Sequence, residues 1–87
     1  MTRHYLKLND KFFDAVVSGK KPFEIRRNDR GYQVGDTLVL TRTDSSGQPI
    51  LNDAGQRDVC IKTVGYMLTH EDFPDGIPEG FVVMTME

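Results

Sequence analysis

A glycine that stops a helix is followed at once by a strand with charge threaded through it: Gly19-Lys20-Lys21-Pro22-Phe23-Glu24-Ile25-Arg26. Upstream, Phe12, Phe13, Val16 and Val17 recur at helical spacing behind a capping residue, Asn9 or Asp10. Downstream of Pro22 the pattern alternates with a period of two. A chain that changes period this abruptly must leave a helix and enter a sheet. Extended, residues 22 to 27 send Phe23 and Ile25 to one face and Glu24 and Arg26 to the other. One face is expected to build core and the other a site. Lys21 precedes Pro22, which biases it toward extended backbone, so its ammonium is expected to project from the mouth of the same strand.

The rest of the chain reads as short strands separated by turn formers. Residues 3 to 8 alternate, with Leu6 and Leu8 on one face and Tyr5 and Lys7 on the other. The helix that follows spans two to three turns and ends at Ser18-Gly19, with its aromatic residues read as core packing. Asn28-Asp29-Arg30-Gly31 and Val34-Gly35-Asp36 are turns, and the second leads into an apolar strand over residues 37 to 41. Residues 44 to 58 are polar and turn-rich around Pro49-Ile50-Leu51, which suits a hairpin tip or a mobile loop. A long strand over 57 to 68 carries Val59, Ile61 and Val64, and Gly65 within it marks a bulge. Residues 69 to 80 are irregular, and 81 to 86 form the last strand. About five strands with one N-terminal helix make a mainly β, α+β domain. A small barrel suits it because closure removes exposed sheet edges, although an open α+β sheet has the same periodicity.

With 87 residues and no linker or repeat, residues 1–87 form a single domain with one modest core. No apolar run approaches the roughly 20 residues of a membrane span, and the N-terminus does not read as a signal peptide. A cytoplasmic protein is expected. Cys60 has no second thiol to pair with and reads as a small buried hydrophobe, while His4 and His70 lack metal-ligand spacing, so no metal or cofactor is expected. The net charge of −2 argues against coating nucleic acid by bulk electrostatics. Positive charge is nevertheless concentrated: Lys20, Lys21, Arg26, Arg27 and Arg30 are five of the eleven basic residues, and only Glu24 and Asp29 oppose them locally.

Gly19-x-Lys21-x-x-Glu24-x-Arg26 resembles the GxKxxExR signature of ASCH domains. The flanking pattern is similar too, with Leu6-Lys7-Leu8 before the helix and Val34-Gly35-Asp36 after the signature. It is most similar to a small bacterial and phage branch, in which His4-x-Leu6-Lys7, Phe23-Glu24-Ile25-Arg26, Asn28-Asp29-Arg30 and Gly80-Phe81-Val82-Val83 find counterparts. The resemblance implies a PUA-like β-barrel whose helix and signature strand border a cleft for RNA or a nucleotide. One related group hydrolyses acetylcytidine with a lysine, a threonine and a glutamate. Its lysine matches Lys21, but Glu24 stands where that group has its threonine.

In such a cleft the cations take phosphate while the Glu24 carboxylate accepts from a base amino group or a ribose hydroxyl. Lys7, Lys21, Glu24, Arg26 and Arg30 are the candidate ligand residues. Lys7 is chosen over His4 because the two lie on opposite faces of the first strand. Tyr5, Tyr32 or Tyr66 offers a stacking face, with Tyr66 taken as the candidate. The bland reading of Glu24 and Arg26 is a surface ion pair worth about 0.2 to 1 kcal/mol. His70-Glu71-Asp72 reads as a solvated loop or helix start. The expected function is RNA or nucleotide binding. Its rival is a small amidohydrolase acting on an acylated or modified nucleoside, with Lys21 and Glu24 as the catalytic pair. The oligomeric state is left open.

Overall fold

Asn9 starts the helix as the composition suggests: its side-chain oxygen accepts from the Lys11 N–H at 2.8 Å, leaving fewer orphan donors in the first turn. In the computed structural model, which describes residues 1–87, the elements follow in the order β1 (Arg3–Asn9), α1 (Asp10–Val17), β2 (Phe23–Arg27), β3 (Thr37–Thr43), β4 (Val59–Thr69) and β5 (Phe81–Met86). The domain is mainly β. One sheet runs in the order β1-β3-β4-β5-β2, with β1 and β3 parallel and the other neighbours antiparallel. It curls into a half-barrel whose concave side holds Leu6, Leu8, Leu38, Leu40, Val64, Val82, Met84 and Met86. No helix is long and apolar enough to cross a membrane.

The helix covers the open flank with a narrow stripe. Phe13 and Val16 are buried, but Phe12 is 40% exposed, contrary to the expectation that the helix's aromatic residues pack into the core, and Val17 is exposed with it. Eight residues make little more than two turns, so the apolar stripe can face β1 and β3 along only one line. Phe12 is turned instead toward β2, beside Lys21.

The parity of β2 is the reverse of the expected one. Glu24 is 4% exposed, whereas Phe23 and Ile25 are 45% and 52% exposed. Register with β5 is the cause: Glu24 pairs with Met84 and Arg26 with Val82, both of which face the core, and cross-strand partners share a face. The charged side chains therefore point into the barrel and the apolar ones point out.

The expected bulge at Gly65 is present as a break in the β4–β5 register between Val64 and Met67. It lets β4 pair with β3 through residues 59–63 and with β5 beyond it, bending the sheet. Cys60 is half-buried against the core, with its thiol free. Residues 44–58 form a projecting arm, held by two isolated bridges, Thr43 with Pro49 and Leu51 with Arg57. In the irregular segment after β4, His70 Nδ1 donates to the Ile77 carbonyl at 2.6 Å, and Asp72 accepts from Thr69, so this triplet serves the loop.

Asp36 fastens the start of the sheet. Its buried carboxylate accepts from the Thr2 and Gln33 N–H groups, each at 3.0 Å, and lies 2.8 Å from His4 Nε2. The Thr2 amide, then His4, then Gln33 hold its pKa below the ordinary 3.8 against the opposing effect of burial. Ionised, it can only accept, so His4 Nε2 carries the proton. A carboxyl that binds its proton less readily folded than unfolded stabilises the fold fully above its unfolded value, and that contribution is lost as pH falls through the lowered folded value. Asp36→Ala is expected to cost about 3 kcal/mol in urea unfolding, by stranding buried donors. It should also flatten the loss of stability expected of the native protein below about pH 4.

Candidate functional site

The Gly19 backbone, at φ +81°, turns the chain sharply at the helix end, and the Lys21 N–H returns to the Ala15 carbonyl at 2.9 Å. This fold-back brings the Lys21 ammonium alongside the helix. There it lies 5.2 Å from the centre of the Phe12 ring and 5.1 Å from that of Phe23, a favourable position for a cation over two aromatic faces. It donates to the Phe23 carbonyl at 3.1 Å and to Glu24 Oε1 at 2.6 Å. Arg26 Nε donates to the other carboxylate oxygen, Oε2, at 2.8 Å. Glu24 is thus clasped through both oxygens by two cations.

Arg26 does a second thing. Strands β1 and β2 end the sheet, and no ladder of main-chain bonds joins them. Across that seam Arg26 Nη2 donates to the Lys7 carbonyl at 2.6 Å. The half-barrel is tied shut here by a side chain.

Three hollows open around β1, two of them along this seam. The largest, about 420 Å³, is lined by Lys21, Glu24, Arg26 and Arg27 together with Phe12 and Phe81. A second, about 340 Å³, lies beyond the Arg26 side chain and is lined by Tyr5, Lys7, Arg26, Arg27, Asp29, Arg30 and Tyr32. A third, also about 340 Å³, lies on the far side of β1 beneath the arm and is lined by Tyr5, Lys7, Thr41, Gln48 and Arg57. Lys7 borders all three. Burial pushes the Tyr32 hydroxyl above its ordinary pKa, while Arg26 and Arg30 draw it down.

Lys21, Glu24 and Arg26 therefore share one concavity beside α1, and Lys7 and Arg30 adjoin it. Tyr66 does not: it stands exposed on β4 and borders none of the three hollows. Tyr5, 66% exposed and shared by two hollows, is the tyrosine with a free face at the seam. Phe12, Phe81 and Arg57 also line the hollows, and residue patterns did not single them out. Tyr5 had a usable signal in its alternation with buried Leu6, on the same face as Lys7. Asn28 serves its own turn by accepting from the Tyr32 N–H, while Asp29 and Arg30 both border the second hollow.

The model of a domain of unknown function, DUF3850, matches residues 3–86. The chain belongs to that family. Over 37 residues, 42% of its length, this DUF3850 domain is 54% identical to a protein of Escherichia phage P2 described as an uncharacterized 12.9 kDa protein in the GpA 3′ region. The aligned stretch spans 34% of the phage protein, about a third of its length.

Within this DUF3850 domain the clasped carboxylate and the cations at the open end of the seam have separable roles. Glu24→Ala is expected to destabilise the fold by about 3 kcal/mol, because it leaves two cations at a nearly buried position without their counter-charge. Lys7→Ala and Arg30→Ala, which remove exposed side chains with no ion partner, are expected to stay within about 0.5 kcal/mol of the parent in the same urea titration.

Proposed function

We propose that this domain binds RNA, or a nucleotide derived from it, in the cationic groove along the β1–β2 seam. The observation that carries the reading is the distribution of unpaired cations. The protein is acidic overall, with 13 acidic against 11 basic residues, and Arg42 gathers three carboxylates around itself. Lys7, Arg27, Arg30 and Arg57 nonetheless line the hollows with no carboxylate within ion-pair distance. Cations held apart from available acids suit phosphate. Exposed Tyr5, and the Phe81 ring with the Arg27 guanidinium 4.8 Å from its centre, supply faces for unpaired bases.

The resemblance of Gly19-x-Lys21-x-x-Glu24-x-Arg26 to the ASCH signature, with the PUA-like fold it implies, supports the same reading, which puts the domain in the cytoplasm. Glu24 acts here as a structural anion: both of its oxygens are engaged, at 2.6 and 2.8 Å, and it is nearly buried. Both oxygens are already committed to Lys21 and Arg26, and no hydroxyl nucleophile stands at position 24. Binding therefore ranks above amidohydrolysis of an acylated nucleoside.

Titration of the isotope-labelled domain with a single-stranded RNA octamer is expected to shift the amides of residues 5–8 and 26–30. The affinity should fall steeply as salt rises. Lys7→Ala combined with Arg30→Ala should weaken binding about tenfold or more at unchanged melting temperature. Absence of any shift with RNA, nucleotides or nucleosides would refute the proposal, and acetate released from acetylcytidine, lost in Glu24→Gln, would establish the hydrolase instead.

A further inference from the structure

The hollow beneath the arm differs chemically from its two neighbours. The seam hollow contains Glu24, and the next one contains Asp29. The arm hollow is lined by Lys7 and Arg57, by the hydroxyl-bearing Thr41 and Thr43 and by Gln48, and no carboxylate lines it at all. Thr43 directs its hydroxyl to the Leu8 carbonyl at 3.4 Å, so Thr41 and Gln48 remain as the neutral hydrogen-bonding groups facing the space. Lys7 links this hollow to the seam. Its carbonyl is held by Arg26 on one side of β1, while its side chain runs to the other side and meets the arm at Gly47. A Cβ at Gly47 would lie 3.3 Å from Lys7 Nζ.

We infer that the arm hollow is a second anion subsite, and that the ligand is a single-stranded oligonucleotide that crosses β1 over Tyr5 and Lys7. This rests on the RNA-binding reading of the seam and narrows its ligand to a polymer. A mononucleotide has phosphate at one end and fills one hollow, leaving the cations of the others unused. A strand of about three nucleotides or more brings a phosphate to each hollow in turn. One phosphodiester meets Arg27 and Arg30, a base covers the exposed ring of Tyr5, and the next phosphodiester meets Lys7 and Arg57. Thr41 and Gln48 then face the sugar edge, where a ribose 2′-hydroxyl both donates and accepts.

The test is calorimetric titration of the intact domain with uridine monophosphate, with oligouridylates of two, four and six residues, and with inorganic tripolyphosphate. Affinity is expected to rise at least tenfold between the mononucleotide and the tetranucleotide. Arg57→Ala should abolish most of that gain. It should also lower the slope of log affinity against log salt by about 0.7, the value for one phosphate contact on a single strand. Gln48→Ala provides a second variant outside the two short bridges that hold the arm, and it should weaken the oligomers selectively. Mononucleotide binding with no gain on lengthening, or a length gain that survives Arg57→Ala, overturns this inference and leaves the seam reading standing. Tripolyphosphate binding as tightly as the tetranucleotide overturns the assignment to a nucleic acid. Failure of every nucleotide in the series to bind refutes the seam reading and this one with it.

Discussion

The arrangement depends on one buried carboxylate. Glu24 sits on the concave side of the half-barrel, where an isolated charge is prohibitively costly, and it is tolerated because Lys21 and Arg26 engage both of its oxygens. Those contacts fix Arg26, and Arg26 in turn reaches the Lys7 carbonyl, tying the two end strands of the sheet together. Ionic closure of this kind is geometrically demanding. A planar guanidinium that must satisfy a carboxylate with one nitrogen and a carbonyl with another admits very few relative positions of β1 and β2.

Closure by a side chain has a consequence that closure by a ladder would not. A continuous row of main-chain bonds between β1 and β2 would fill the seam, whereas a single bridging side chain divides it and leaves a hollow on each side. The anion that makes the closure possible is consumed in making it, so the remaining cations along β1, the turn after β2 and the arm are left without partners. The side chains that close the seam are thus distinct from the unpaired cations beside it. The most exposed of them, Lys7 and Arg30, take part in no ion pair of the fold.

Much of this was legible in the residues. The helix and its cap follow from Asn9, the Phe13–Val16 spacing and Gly19, all of which act over one or two turns. The parity of β1 follows from strict alternation, and Leu6 and Leu8 are buried while Tyr5 and Lys7 are exposed. The bulge at Gly65 follows from a glycine inside an otherwise strand-like run. The convergence of Lys21, Glu24 and Arg26 was legible as well, since six residues of folded-back chain cannot separate them far. Tyr66 shows where such reasoning stops: nothing in its own neighbours tells whether it reaches the seam, and the sheet order places it on β4, bordering none of the hollows.

The local sequence by itself determined the elements, the turns between them and the single helix, because those depend on backbone preferences and on contacts a few residues apart. Tertiary structure decided which face of β2 is inside. Hydrophobicity alone sends Phe23 and Ile25 inward, but antiparallel register with β5 aligns Glu24 with Met84 and turns the charged face to the core. That outcome needs a counter-charge from the helix end and a carbonyl from β1. Such partners lie as far as 19 residues away along the chain, and periodicity carries no information about contacts at that range.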